Sequence, residues 1–129
     1  MMTKKYTFDS VPSLVENEGK TILVRFVEEE RKVEVDGKEM TVYDGYSIRI
    51  EQPVTRDKVI DAIVSEAYPT DKMQAIINNH FANLGVIADG GTLKDADELA
   101  HEEEYVAMQE WRKKAKSVAS DVMAELLNR

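Results

Sequence analysis

Between residues 20 and 51, apolar side chains recur at every second position, as at Ile22, Val24 and Phe26. This alternation is typical of β-strands, because successive side chains of a strand point to opposite faces of a sheet. The segment is therefore predicted to form an antiparallel β-meander of three or four strands. Pro53 is expected to close it, because proline cannot donate a hydrogen bond to a strand ladder.

The turns of this meander are indicated by short polar segments. Asp36-Gly37 and Asp44-Gly45 are residue pairs that favour type I′ hairpin turns, in which both central residues need φ > 0. The charged run of residues 28–32 is predicted to be a further, solvated turn.

Residues 1–19 carry a weaker pattern. Tyr6-Thr7-Phe8 is predicted to be a short edge strand. Ser10-Val11-Pro12 is predicted to be either a turn or the start of one helical turn, which Gly19 ends.

After Pro53 the apolar residues recur with the period of a helix. Thr55 is predicted to cap a first short helix. Tyr68-Pro69 is predicted to end it, because proline disfavours helical geometry in the residue before it. The apolar stripe of this helix is Val59, Ile60, Ile63, Val64 and Ala67.

A second short helix is predicted to begin directly after this proline, with Thr70 as its cap. Gly85 is expected to adopt a left-handed conformation just after its end, with Val86 folding back on Phe81. Residues 87–91 are then predicted to be a loop. The apolar stripe of the second helix is Met73, Ile76, Ile77, Phe81 and Leu84.

A third, long helix is predicted from Asp95, which is a suitable cap, to Asn128. Its length is about 30 residues, or about 45 Å. Because its apolar seam is dense only from Met108 onward, the first third is expected to be more exposed than the rest. The seam is Met108, Trp111, Ala115, Val118 and Val122.

We therefore predict an α+β fold, in which an antiparallel β-meander is followed by two short helices and one long C-terminal helix. Residues 1–129 are predicted to form a single α+β domain, with a β-meander part at residues 1–53 and a helical part at residues 54–129. A β piece of that length would be only marginally stable alone, which favours one shared core.

Composition limits the classes of function. The chain has 129 residues, no cysteine and a net charge of −8. Disulfides and thiolate chemistry are thereby excluded, and phosphate backbones are repelled. No stretch approaches the ~20 consecutive apolar residues that span a bilayer. We therefore expect no nucleic-acid partner, no membrane partner and a cytoplasmic location.

Residue patterns for enzyme chemistry are sparse. The only histidines are His80 and His101, and Glu98-x-x-His101 is a single carboxylate–imidazole pair, whereas di-metal sites use two. The segment Asp89–Asp95 lacks the ligand order of a calcium-binding loop. There is no phosphate-binding glycine motif and no serine nucleophile elbow. We therefore predict no catalytic residue, metal site or cofactor, and expect that the protein is not an enzyme.

The middle of the long helix offers the best candidates for partner binding. Tryptophan, tyrosine and arginine are enriched at the energetic centres of protein interfaces, and here they lie along the apolar seam. The seam is either a core-facing stripe or a contact with a protein partner or a second copy of the chain, which would make a homo-oligomer. The candidate residues are Tyr105, Met108, Trp111, Arg112 and Lys116.

Several segments of the helical part resemble uncharacterised proteins of phages and prophages in gut bacteria. The segments are Thr55–Val64, Tyr68, Asp71–Met73, Ala75–Asn79, Tyr105, Met108–Gln109, Trp111–Arg112 and Ala115–Lys116, within residues 46–119. In those relatives a similar module is often followed by a longer C-terminal domain and accompanies tail-region genes. The resemblance implies a virion-associated or assembly function, and it implies no particular functional residue.

The residues and the resemblance together favour a non-enzymatic protein-interaction or virion tail assembly accessory protein of phage or prophage origin, in the cytoplasm or incorporated into a virion. The alternative is a small host enzyme or a ligand-binding protein of unknown specificity. A deep pocket with convergent polar groups would favour this alternative. An exposed apolar patch or a symmetric dimer would favour the first interpretation.

Overall fold

The structure is a computed structural model that describes residues 5–128. Within these residues, four antiparallel strands form one sheet in the order β1-β4-β3-β2, and three helices follow. The predicted α+β class, with its long C-terminal helix, is confirmed. The elements are β1 (Tyr6–Phe8), β2 (Val15–Asn17), β3 (Thr21–Val35), β4 (Lys38–Glu51), α1 (Arg56–Ala67), α2 (Thr70–Ala88) and α3 (Ala96–Leu127).

The sheet is built around one long hairpin of β3 and β4, which closes at Asp36-Gly37. Asp36 has a φ of 52° and Gly37 a φ of 78°, as the two central positions of a type I′ turn require. This predicted turn is confirmed. The two strands pair from Thr21 opposite Glu51 to Val35 opposite Lys38.

The other two predicted turns of the hairpin are wrong. Residues 28–32 continue β3, and Asp44-Gly45 lies inside β4. A β-bulge between Val27 and Glu29 absorbs the irregularity there. The charged side chains beyond the bulge are exposed, because this half of the hairpin extends past the core. In this part of the hairpin the backbones of β3 and β4 pair while the charged side chains remain in water.

Asp44 joins three strands instead of turning the chain. Its carboxylate accepts a hydrogen bond from Arg31 Nε at 2.6 Å and another from Thr7 Oγ1 at 2.8 Å. The guanidinium of Arg31, and then the hydroxyl of Thr7, hold the pKa of this carboxyl below its ordinary value. The predicted edge strand β1 is confirmed, and Asp44 helps to hold it beside β4.

The segment before β3 differs from its prediction. The residues after Ser10-Val11-Pro12 contain a strand, β2, which pairs with β3 at the other edge of the sheet. Gly19 has a φ of 91° and turns the chain from β2 into β3. Only Val15 of β2 is buried, so the strand presents no alternating apolar pattern that the sequence could reveal.

The first helix follows its prediction, and the start of the second does not. Thr55 caps α1, and its hydroxyl accepts a hydrogen bond from the backbone N–H of Lys58 at 3.2 Å. α1 ends before Tyr68, as expected from the proline that follows. Thr70 is the first residue of α2 rather than its cap, which is Pro69, and no side chain caps this end.

The predicted end of α2 is wrong, but the predicted motif occurs five residues later. Gly85 lies inside α2, which continues to Ala88, so residues 87 and 88 are helical. Gly90 has a φ of 83°, and its N–H donates to Ile87 O at 3.0 Å. Gly91 N–H donates to Val86 O at 3.0 Å, which completes the Schellman pattern. Gly85 and Gly90 are both glycines that could follow the end of α2, and the helix ends before the second of them.

These two glycines are expected to respond in opposite directions to alanine. A Cβ at Gly85 meets nothing within 4 Å and the residue is helical, so Gly85→Ala should raise the free energy of unfolding by about 0.5–1 kcal/mol. Gly90→Ala must keep a positive φ and should lower it by about 1 kcal/mol. Urea denaturation of both variants measures the difference. Equal effects of the same sign would contradict this placement of the helix end.

α3 is continuous and packs through its second part. Asp95 caps it by accepting a hydrogen bond from the backbone N–H of Asp97 at 2.8 Å. The first third has no buried residue, as predicted. The buried residues of α3 are Met108, Ala115, Val118, Ala119 and Val122.

The hydrophobic core lies between one face of the sheet and the helices α1 and α3. Alternate residues of β3, beginning with Ile22 and Val24, meet Val59 and Ile63 of α1 and Val122 of α3. All five side chains are essentially inaccessible to solvent. α2 reaches this core through the partly buried Met73 and packs chiefly against α3.

Candidate functional site

Trp111 connects α3 to helix α1 and to the sheet. Its indole Nε1–H donates a hydrogen bond to the backbone carbonyl of Ile63 in α1 at 2.9 Å. Its ring meets Tyr46 of β4 edge-on at a centroid distance of 4.8 Å and lies 6.2 Å from Phe26 of β3. Phe26 and Tyr46 are themselves 5.4 Å apart. The three rings form one cluster at the side of the core.

This cluster is the floor of a groove of about 450 Å³. Tyr68, which directly follows α1, supplies a further aromatic wall, and three charged side chains also line the groove. The volume falls within the ~300–1,000 Å³ typical of small-ligand sites. The lining residues are Phe26, Glu28, Tyr46, Ala67, Tyr68, Ala107, Glu110, Trp111 and Lys114.

The two phenols of the groove are held in their neutral form. Burial, and then the hydrogen bond and charge of Glu28, raise the pKa of Tyr46 far above its ordinary value. Burial, and then the charge of Glu104, raise the pKa of Tyr68. Neither phenol therefore supplies a phenolate near neutral pH, and the charged groups that line the groove are Glu28, Glu110 and Lys114.

The five candidates for partner binding lie in different environments. Met108 is fully buried, and Trp111 lines the groove. Tyr105 packs against α2, Arg112 is half-buried and Lys116 is exposed. The spacing of these residues along one helix suggests a single surface, but they point to several sides of α3.

A polar cluster joins α2 to α3. The imidazole of His80 stacks on the ring of Tyr105 at a centroid distance of 3.6 Å, and its Nδ1 lies 2.9 Å from Glu102 Oε2. Asn83 is buried and donates from Nδ2 to the backbone carbonyl of Glu98 at 2.8 Å. His80 is therefore a partly buried packing residue, with its side chain 15% exposed. Sequence reasoning misses Asn83, because in the sequence it is only a polar interruption of an apolar stripe.

The hydrogen bond with His80, more than that with Asn83, holds the pKa of Glu102 below its ordinary value. The folded state therefore favours the carboxylate, so this contribution to stability is complete above the unfolded pKa and is lost as pH falls through the lowered folded pKa. Glu102→Gln should be less stable than the parent protein at pH 7, and the difference should shrink below pH ~4. Denaturation at both pH values measures this, with exposed Glu103→Gln as the control. A deficit of the same size at both pH values would contradict it.

The apolar stripe that the sequence identifies on α2 is only partly buried. Ile76 is buried, but Phe81 is 62% exposed and Leu84 is 44% exposed. α3 adds Leu99, which is 47% exposed, and Val106, which is 53% exposed. The reason is that α2 contacts α3 through the side that carries His80 and Asn83. Phe81 and Leu84 lie on a different side of α2 and remain exposed.

These exposed residues share one side of the α2–α3 pair. His80 lies opposite Tyr105 and Asn83 opposite Glu98, so the two helices are antiparallel. On each helix, the helical period places the exposed apolar residues about a quarter turn away from the residues that contact the other helix. In an antiparallel pair these two positions fall on the same side of the pair, and buried Met108 lies on the opposite side. We call this surface the outer face: Ile77, Phe81, Leu84, Leu99 and Val106.

Within residues 5–128, no group of three or more His, Asp or Glu side chains is placed to hold a metal ion. In the same range no helix is long and apolar enough to cross a bilayer. Comparison of the chain with protein-family models, with curated proteins and with solved structures finds no match.

Proposed function

We propose that this protein is a non-enzymatic protein-interaction module that associates with a second copy of itself through the outer face. The observation that carries the proposal is the exposure of Phe81, Leu84, Leu99 and Val106 on one side of the α2–α3 pair. Contiguous apolar patches on folded domains are usually contact sites, because leaving them in water is unfavourable.

The shape of the outer face suits a second copy. α2 has 19 residues and is about 28 Å long, and two helices side by side are about 20 Å wide. The resulting area of ~560 Å², enlarged by projecting side chains, approaches the ~800 Å² that each partner buries in a standard interface. Two such faces related by a two-fold axis would form a four-helix arrangement, the usual way in which helical pairs cover apolar stripes.

Charge on the outer face tests this association. Phe81→Glu places a carboxylate at the centre of the face, and in a symmetric pair it places two there, so association should weaken by at least ~100-fold. Val11→Glu is the matched control, because Val11 is 66% exposed and lies far from α2 in the sequence. Light scattering after size-exclusion chromatography measures the mass of each variant. Dissociation in the control as well, or in neither variant, would contradict the proposal.

Virion tail assembly in a phage or prophage is the biological setting that we propose for this contact. That part of the proposal rests on the resemblance of residues 46–119 to phage proteins. An assembly protein that acts through its own association needs an accessible surface. The exposed apolar residues of the outer face support this role. Co-purification with tail components from induced cells, lost in Phe81→Glu and kept in Val11→Glu, is the expected result.

A further inference from the structure

The groove beside Trp111 lies on the other side of α3 from the α2 contact, and its chemistry is different from that of the outer face. Four aromatic side chains, Phe26, Tyr46, Tyr68 and Trp111, supply most of its walls. The face of an aromatic ring carries partial negative charge and attracts cations within ~6 Å of its centroid. An aromatic floor with carboxylates at its rim is therefore a site for a positively charged group.

Two hydrogen-bond donors that line the groove are engaged within the chain. The indole N–H of Trp111 is directed to Ile63 O, and the hydroxyl of Tyr46 bonds with Glu28. The charged groups of the lining are two acceptors, the carboxylates of Glu28 and Glu110, and one flexible donor, the ammonium of Lys114. A ligand that is rich in donors and poor in acceptors would satisfy the two carboxylates.

The neighbouring lysines do not cancel this preference. Glu28 lies 3.4 Å from Lys5 and Glu110 lies 3.7 Å from Lys113, and all four side chains are more than 40% exposed. Ion pairs of this kind contribute little and exchange readily with solvent. They leave the carboxylates available to a better partner.

The chain itself holds a cation at this floor. Lys114 Nζ lies 5.9 Å from the centroid of the Phe26 ring, near the limit of a cation–π contact. Lys114 carries its charge on a flexible stem, so it can leave when a stronger cation arrives. The groove therefore already shows the interaction that an incoming cation would make.

We propose that this groove binds an arginine side chain presented by a partner polypeptide. A guanidinium is planar, stacks on aromatic faces and donates five hydrogen bonds in a fork that suits carboxylates. Beside the rings of Tyr46, Tyr68 and Trp111 it would meet the carboxylates of Glu28 and Glu110. The net charge of −8 favours the approach of a basic segment.

Trp111 is the only tryptophan of the chain, so its fluorescence reports directly on the groove. The probe is a capped Gly-Arg-Gly peptide, titrated at constant ionic strength. Its matched control is the same peptide with citrulline, which keeps the shape of arginine and removes the charge. The arginine peptide should change the fluorescence saturably, and the citrulline peptide should bind at least ~10-fold more weakly. No saturable change, or equal binding of both peptides, would overturn the proposal.

Two variants separate the parts of the site. Removing both carboxylates, in Glu28→Gln with Glu110→Gln, should weaken the arginine peptide by at least ~10-fold. Lys114→Met removes the competing cation and should tighten it. Weaker binding by Lys114→Met, with an unchanged thermal melt, would show that the groove prefers anions and would refute the assignment.

Arginine binding in the groove does not depend on self-association through the outer face. Phe81→Glu should dissociate the two copies and leave arginine binding unchanged, because Phe81 does not line the groove. Loss of arginine binding in this variant, with the fold intact, would contradict the assignment of the site to residues of one chain. Failure of self-association alone would leave the arginine site standing.

Discussion

Trp111→Ala is expected to lower the free energy of unfolding by about 3–5 kcal/mol. The substitution removes an indole that packs against Tyr46 and Phe26, together with the hydrogen bond that it donates to the carbonyl of Ile63. Both losses fall within one chain, so the variant should be destabilised whether or not the protein associates. Urea denaturation followed by circular dichroism measures the effect, because the variant has no tryptophan fluorescence.

Trp111→Phe separates the two losses. It keeps an aromatic ring and removes only the N–H donor, so it should cost less than alanine, about 0.5–1.5 kcal/mol for the one lost hydrogen bond. Val106→Ala, at a residue that is 53% exposed, should cost about 1 kcal/mol or less. If Trp111→Ala were no more harmful than Val106→Ala, the indole would not connect the sheet to the helices.

Gly45→Ala is expected to destabilise the protein by about 3 kcal/mol or more. A Cβ at this position would overlap the backbone carbonyl of Phe26, and it would lie 3.0 Å from the Cα of Val27. These are backbone atoms of the paired strand, so they cannot rotate away as a side chain could. The hairpin would have to separate at the bulge, directly under the aromatic cluster.

Gly37→Ala is the control for Gly45→Ala. Gly37 has a positive φ of 78°, but a methyl group on its Cα would meet no atom within 4 Å, so alanine there carries only the conformational cost of about 1 kcal/mol. Thermal denaturation of both variants should rank Gly45→Ala as the more harmful by a clear margin. The reverse order would contradict the close approach of the two strands at Gly45.

The sequence predicts well those features that neighbouring residues determine. The alternation at Ile22, Val24 and Phe26 identifies β3, and the pair Asp36-Gly37 identifies the turn, because a hairpin turn is set by its own two residues. The cap at Thr55 and the long uninterrupted helix after Asp95 are equally local. These features need no knowledge of the rest of the fold.

The predictions are wrong where a short segment is compatible with two local structures and contacts with the rest of the fold determine which one forms. Asp44-Gly45 has the composition of a turn, yet Arg31 and Thr7 hold Asp44 within the sheet. Gly85 has the composition of a helix end, yet the helix continues and the chain turns only at Gly90. The residues that determine the outcome are distant from Asp44 in the sequence, and for Gly85 they lie in the next turn of the helix.

The groove cannot be predicted from one helix. The seam marks Trp111 as a candidate, but the other walls come from β3, β4 and the end of α1. Nothing in the local pattern around Phe26, Tyr46 or Tyr68 distinguishes a wall residue from a core residue. The outer face is missed for a related reason, because period alone identifies an apolar stripe and does not say whether a neighbour covers it.

Sedimentation equilibrium of the unmodified protein tests self-association through the outer face most directly. The chain has a mass of 14.6 kDa. The account predicts that the weight-average mass rises with protein concentration and approaches twice this value, and that Phe81→Glu returns it to the mass of one chain. A single-chain mass across the whole concentration range, equal for the parent protein and the variant, would contradict the account.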